Sequence, residues 1–211
     1  MNAPTLNPVE SAHAWVDRCL ASAFAKSAAQ GRPVTCRAGC FHCCREPVWV
    51  EISEARHIAA QFTGDARAQL ASRVAVWWRQ FFAGGHDADV PPREQHGAEL
   101  AQYLSENIWC PLLQDGLCSA YAARPMGCRM FNAVGSPSRC ADPAKRITQK
   151  FLAINETPEI MLRAMGELCQ HSSRALFQYD HLGIWLGHIL LGKTERSRSG
   201  ENMILTANQN A

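Results

Sequence analysis

Eight of the ten cysteines in this 211-residue chain fall into two knots, Cys36-x3-Cys40-x2-Cys43-Cys44 and Cys110-x7-Cys118-x9-Cys128-x11-Cys140. Thiolates crowded this closely need a cation between them, so the fold has to bring two distant segments together around one. The chain is long enough to build a hydrophobic core without covalent staples, and the cysteines are therefore not needed to rescue a small fold. The stretch from Met1 to Trp15 lacks a cationic start, a continuous apolar run and a small-residue cleavage site, which predicts a cytoplasmic protein. Thiols stay reduced there, and clustered cysteines then read as metal ligands or redox groups before they read as disulfides.

Other classes are disfavoured by composition. The strongest apolar stretch, Leu182 to Leu191, is interrupted by Gly187 and His188 and falls well short of the roughly 18 residues a spanning helix needs, so no membrane association is expected. A formal net charge of +2, from 21 basic and 19 acidic residues, does not supply the broad positive surface that nucleic-acid binding requires.

The rest of the sequence reads as mostly helical. Asn7-Pro8-Val9-Glu10 combines a capping residue, a first-turn proline and a glutamate placed to reach back. The helix it opens carries an apolar stripe of Ala12, Trp15, Val16, Cys19, Leu20 and Ala23, and Gly31 is its expected stop. A second helix is predicted from about Ser53 to Phe62. A third is predicted with Asp65 as its cap, Leu70, Val74, Trp77 and Phe81 on its inner face, and Gly84-Gly85 at its end.

The polar stretch from His86 to Gln95 reads as a loop, and Leu100, Tyr103 and Leu104 mark a fourth helix. Asp142-Pro143 and Thr157-Pro158 each resemble a helix start, toward Ala153 and Cys169, and a last helix is predicted from about Ser173 to Leu191. Only Pro47 to Ile52 alternates as a short strand would. The expectation is a mainly α, single helical metal-binding domain over residues 1–192, enclosing two irregular cysteine-rich metal-binding loops, with a disordered tail at 193–211.

Sulfur-rich ligand sets favour zinc, copper(I) or iron–sulfur clusters over magnesium or calcium. Cys36, Cys40, Cys43, Cys44, Cys110, Cys118, Cys128 and Cys140 are the candidate metal ligands. They match two four-sulfur sites, or one cluster plus four cysteines with another task, and spacing leaves this open. It also leaves open zinc, common in closed four-cysteine sites, against an iron–sulfur cluster, to which Cys110-Pro111 gives a slight lean. Gly39 supplies the backbone freedom that the tight first loop requires.

Four thiolates around a divalent ion leave net negative charge, which Arg37, Arg45, Arg124, Arg129 and Arg139, in or beside the knots, are placed to relieve. Structural metal binding is on the order of 10 kcal/mol, comparable with the stability of a whole domain, about 5–15 kcal/mol. Without metal, residues 36–44 and 110–140 are expected to lose order. Cys19 and Cys169 lie on apolar helix faces and read as core residues. His42 is the histidine placed to ligate, though support of the ligands or simple exposure is the favoured reading.

These residues together resemble the CxxCxxCC, or YkgJ-like, cysteine-cluster family of zinc- or iron-chelating domains. The resemblance rests on the first knot, on Cys110-Pro111-Leu112-Leu113, and on Gly116-Leu117-Cys118-x2-Tyr121-x2-Arg124-Pro125-x2-Cys128-Arg129. It covers roughly residues 34–140, and the first interval here is three residues where the family name has two. It implies metal binding, with zinc or iron, alone or in an iron–sulfur cluster, as the cofactor. Tyr121, Arg124 and Arg129 would then stand behind the ligands, neutralising thiolates and packing the loop. A similar module in flagellin lysine methylases implies, by analogy only, an iron–sulfur-dependent protein-modifying or redox enzyme as the alternative.

Three other classes are weaker. Cys36-x3-Cys40-x2-Cys43 has the spacing of radical S-adenosylmethionine enzymes, but the βαβ rhythm of their barrel is missing. Thiol–disulfide exchange at Cys43-Cys44 or Cys40-x2-Cys43 lacks a thioredoxin-like context. Zinc-finger nucleic-acid binding lacks a basic, aromatic stripe. A metal ion is the expected partner, and a protein partner is left open.

Overall fold

The structure, a computed structural model, describes residues 7–85, 98–134, 138–141 and 179–193. Helix α1 (Pro8–Ala29) begins as its sequence demands. The Asn7 side chain accepts a hydrogen bond from the Glu10 N–H at 2.9 Å, and Glu10 Oε2 accepts from the Asn7 N–H at 3.1 Å, closing a capping box ahead of Pro8. Gly31 follows the helix at φ +74°, where a side chain would be strained. The buried stripe is Val9, Ala12, His13, Val16, Leu20 and Ala23, with Trp15 and Cys19 packed half-buried against it.

A short strand, β1 (Trp49–Glu51), leads directly into α2 (Ile52–Ala60), because Glu51 ends the strand and caps the helix, its carboxylate accepting from the Ser53 N–H at 2.6 Å. Helix α3 (Gly64–Ala83) starts two residues earlier than its sequence suggested. Thr63, extended at φ −130°, is the cap, so Asp65 lies inside the first turn, where its charge still favours the positive end of the helix dipole. Helix α4 (Ala98–Ser105) covers the predicted fourth helix.

The cysteine-rich part after α4 contains a β2–β3 hairpin (Leu113–Gln114 and Leu117–Cys118), a 3-10 turn at Tyr121–Ala123, α5 (Met126–Met130) and α6 (Ser138–Ala141). Asp115 and Gly116, at φ 50° and 76°, make the two-residue left-handed turn that suits a tight hairpin. The segment expected to be irregular is therefore largely made of short regular turns.

The last described elements correct an expectation. The helix predicted from Ser173 begins at Leu182, as α7 (Leu182–Leu191), because Tyr179–His181 forms strand β4, antiparallel to β1 with Trp49 opposite His181. His181 Nδ1 accepts from the Gly183 N–H at 3.2 Å and caps the new start. Pairing with β1 holds residues 179–181 extended, and the Leu182 N–H donates to Val48 O at 2.8 Å where the ladder passes into the helix. The loop at 86–95, the predicted helices after Asp142 and Thr157, Cys169 and nearly all of the tail lie outside the described residues.

The core sits where α2, α3 and α7 meet. Ile58, Leu70, Val74, Leu182 and Leu186 are shielded from solvent there, each worth about 1.5–3 kcal/mol in removed apolar surface. Gly183 and Gly187 let α7 lie flat on the Trp77 and Trp78 rings of α3, since a Cβ at either glycine would run into those rings. A second cluster joins α1 to α5 through Val9, Val16, Met126 and Met130. Among the described residues no helix is long and apolar enough to cross a membrane.

Candidate metal centre

The two cysteine knots, about 70 residues apart in sequence, meet in space. In the first, Gly39 takes φ +87°, and His42–Arg45 winds into a 3-10 turn that carries Cys43 and Cys44. The Cys110 N–H then donates to the Cys44 carbonyl at 2.7 Å, a direct backbone clasp between the knots. A second clasp joins the start of the first knot to the chain beyond Cys128. Val34 bridges Val134, the Thr35 N–H donates to Ala133 O at 3.0 Å, and the Ala133 N–H donates to Cys36 Sγ at 3.0 Å. The β2–β3 hairpin adds a third contact, with Gly116 lying close under the Phe41 ring and Leu117 beside Gly39. Helix α6, which carries Cys140, packs against the 3-10 turn of the first knot.

The thiols consequently feel one another. Cys36 is raised above its ordinary value mainly by burial, with Cys40, Cys43 and Cys140 adding to the rise and the Ala133 N–H opposing it. Cys44 is raised chiefly by its hydrogen bond with Cys43, then by burial and by Cys110 and Cys128. Burial pushes Cys110 up to about 12, with Cys118 and Cys43 contributing. Cys128 is raised well above the ordinary range by burial, then by Cys110, Cys43 and Cys118, and Cys118 is raised by burial and Cys43 while Arg124 pulls it down. Cys43 is the neighbour these shifts share, acting on Cys36, Cys44, Cys110, Cys118 and Cys128, while Cys40 and Cys140 act on Cys36.

The surroundings are less enclosed than expected. Seven of the eight cysteines are half-buried and Cys140 is buried, so the described helices flank the cysteines rather than close over them. Among the described residues no group of three or more His, Cys, Asp or Glu side chains is drawn into position to hold a metal ion. The donor set nevertheless suits a soft or borderline cation. It is all sulfur, and it contains no disulfide among the described cysteines.

The basic residues divide. Arg124 lies over the Tyr121 ring, 4.0 Å from its centroid, and its charge favours the Cys118 thiolate. Arg129 is committed elsewhere, donating to the carbonyls of Arg124 at 2.9 Å and of Ala122, and pairing with Asp17 at 2.5 Å. It clamps the turn between Cys118 and Cys128 instead of facing the sulfurs. Arg45 donates to Leu104 O at 2.9 Å and lies over Trp109, and Arg73 of α3 donates to Pro111 O at 2.9 Å, tying both knots to the helices. Arg37 is exposed. The His42 ring rests on Phe41, with centroids 5.1 Å apart.

Sequence reasoning missed a polar cluster behind the second knot. His13 of α1 and Glu54 of α2 meet at 3.0 Å, and His57 stands one turn beyond, its ring 6.0 Å from that of His13. Burial, then the neighbouring His13, holds His57 below its usual value. A signal was present, since Glu10-x2-His13 and Glu54-x2-His57 each place two polar groups on one helix face.

Residues 35–160, more than half of the chain, match the CxxCxxCC family model, described as "Putative zinc- or iron-chelating domain". The chain belongs to the CxxCxxCC family. No curated protein and no solved structure gives a significant match. The CxxCxxCC region takes in all eight clustered cysteines, and α1 precedes it. Family membership supports a bound metal ion, zinc or iron.

Proposed function

We propose that this CxxCxxCC domain is a metal-chelating protein of a reducing compartment, the cytoplasm, holding zinc or iron through Cys36, Cys40, Cys43, Cys44, Cys110, Cys118, Cys128 and Cys140. The observation that carries this is the bond from the Cys110 N–H to the Cys44 carbonyl, 2.7 Å long, which joins the backbones of two cysteine segments remote in sequence. Arg124, stacked on Tyr121, stands behind Cys118 and offsets thiolate charge, while Arg129 holds the loop in shape. A bound cation would favour the thiolates over the thiols, and loading releases protons.

Elemental analysis with visible spectroscopy on anaerobically purified protein tests this. Stoichiometric zinc in colourless protein, or iron with sulfide and broad visible absorption, is the expected result. Metal-free protein whose eight cysteines all react at once with a thiol reagent would refute it.

A further inference from the structure

Glu54 is fully buried, at 0 % exposure, and a buried carboxylate is costly unless its oxygens are satisfied. Oε1 accepts two hydrogen bonds, from His13 Nε2 at 3.0 Å and from the Met126 N–H at 2.8 Å. Oε2 has no hydrogen-bond partner among the described residues. Met126 is the first residue of α5, the short helix that carries Cys128 two residues later. The residue before it is Pro125, which offers no side-chain cap, so a carboxylate from a segment 72 positions away does the work of one.

Three elements therefore meet on one carboxylate. Helix α2 supplies it, α1 fixes its orientation through His13, and α5 hangs from it by its leading amide. The carboxylate lies close enough for its charge to reach Cys128. Further supports of α5 are its packing against α1 and β1 and the carbonyl clamp of Arg129, itself tied to α1 through Asp17. Two polar links thus run from α1, outside the family-matched region, into the turn that presents Cys128.

The geometry points to Glu54, held by His13, as a positioning residue for the metal site: it sets where Cys128 stands relative to Cys44, Cys110 and Cys118, and makes α1 a working part of the chelating centre. This rests on the chelation reading above. The carboxylate acts through the Met126 amide and not as a ligand. Losing it lets α5 shift while the fold, whose main core lies in α2, α3 and α7, persists. Loss of a group that orients a ligand typically costs 10–100-fold in metal affinity.

The test uses the full chain loaded with cobalt(II) as a spectroscopic probe and compares wild type with Glu54→Ala, Glu54→Gln, His13→Ala and Ile58→Val. The last lies on the same helix and lowers stability without touching α5. The expected result is about tenfold or faster loss of cobalt to a chelator, with an altered thiolate-to-cobalt band, for Glu54→Ala. A smaller change of the same kind is expected for His13→Ala, and near-wild-type behaviour for Glu54→Gln, whose amide oxygen still accepts from Met126. Ile58→Val should melt earlier with an unchanged band.

Wild-type bands and loss rates in both Glu54→Ala and His13→Ala would overturn the positioning role while leaving chelation intact. So would the same altered band in Ile58→Val, which would mark a general loss of stability. Should Glu54→Ala fail to fold, His13→Ala, which removes only the orienting partner, decides by the same readout. Absence of cobalt binding in the wild type would instead sink the chelation reading itself.

Discussion

The contact of α3 with α7 and the neighbourhood of Cys43 are held together by opposite means. At the first, two glycines let indole rings lie against a helix, and the side chains around them are shielded from water. At the second, half-buried thiols that raise one another are kept close by a few backbone clasps. Apolar burial stabilises the first surface in any solution, whereas the second is incomplete until a cation offsets the thiolates. The difference teaches that this chain has a folded body and a conditional site, and that metal should act on one and spare the other.

The sharpest way to break that comparison is to remove metal. Ligation worth on the order of 10 kcal/mol should order residues 36–44 and 110–134, so stripping it with a chelator should abolish hydrogen-exchange protection at the Cys110 and Cys40 amides. The amides of α3 should keep theirs. Equal loss in both regions would mean that there is a single cooperative unit and no conditional site.

A smaller effect separates clustered from core cysteines. Cys110→Ser should lower metal affinity by more than about 100-fold, beyond the usual cost of losing a supporting residue. Cys19→Ser, on the packed face of α1, should lower the melting temperature while metal content stays whole. Metal analysis of the two purified variants checks this, and equal metal loss in both would erase the distinction.

His57 on α2 and the clustered thiols answer pH with opposite signs. His57 is held below its ordinary value of 6.5 by burial and by His13, so the folded state binds fewer protons there than the unfolded chain. That contribution is present above about 6.5 and is lost as pH falls through it. The thiols are raised above 9.0, Cys110 to about 12, so in metal-free protein their contribution is present below about 9 and is lost as pH rises toward 12. Metal reverses the second arm, because bound thiolates have already given up their protons. Melting curves of metal-free and loaded protein between pH 5 and pH 10 should therefore both carry the His57 loss in acid, while the loaded protein alone loses metal stabilisation as pH falls and keeps it as pH rises.

What the sequence could and could not disclose follows the same division. The capping box at Asn7 and the spacing of Leu70, Val74, Trp77 and Phe81 are local signals, and both are realised. The family resemblance read from the two knots agrees with the family model. The β1–β4 pairing escaped because three residues at 179–181 owe their extended shape to a partner about 130 positions earlier, which no local pattern records. His13 and Glu54 escaped because their spacing from Glu10 and His57 marks a shared helix face but not which face crosses which. Each looked like a polar residue on an ordinary helix, and only the crossing of α1 and α2 buries them together behind Cys128. Arg129 was assigned to the thiolates by nearness in sequence, yet its guanidinium faces carbonyls and Asp17.

The smallest effect tests whether the body is as independent of the site as the comparison claims. Gly183→Ala places a methyl group against the Trp77 ring, and crowding of this kind in a packed core costs about 1–3 kcal/mol. The ring is stacked on Phe81 and His181 and has little room to retreat, so the strain should appear as a lower melting temperature in loaded and metal-free protein alike. Metal stoichiometry and the rate of metal loss should not change, because the atoms nearest the added methyl belong to the Trp77 ring. If Gly183→Ala also hastened metal release, the α3–α7 contact and the thiol cluster would be coupled parts of one structure, and the body would owe part of its stability to the ion.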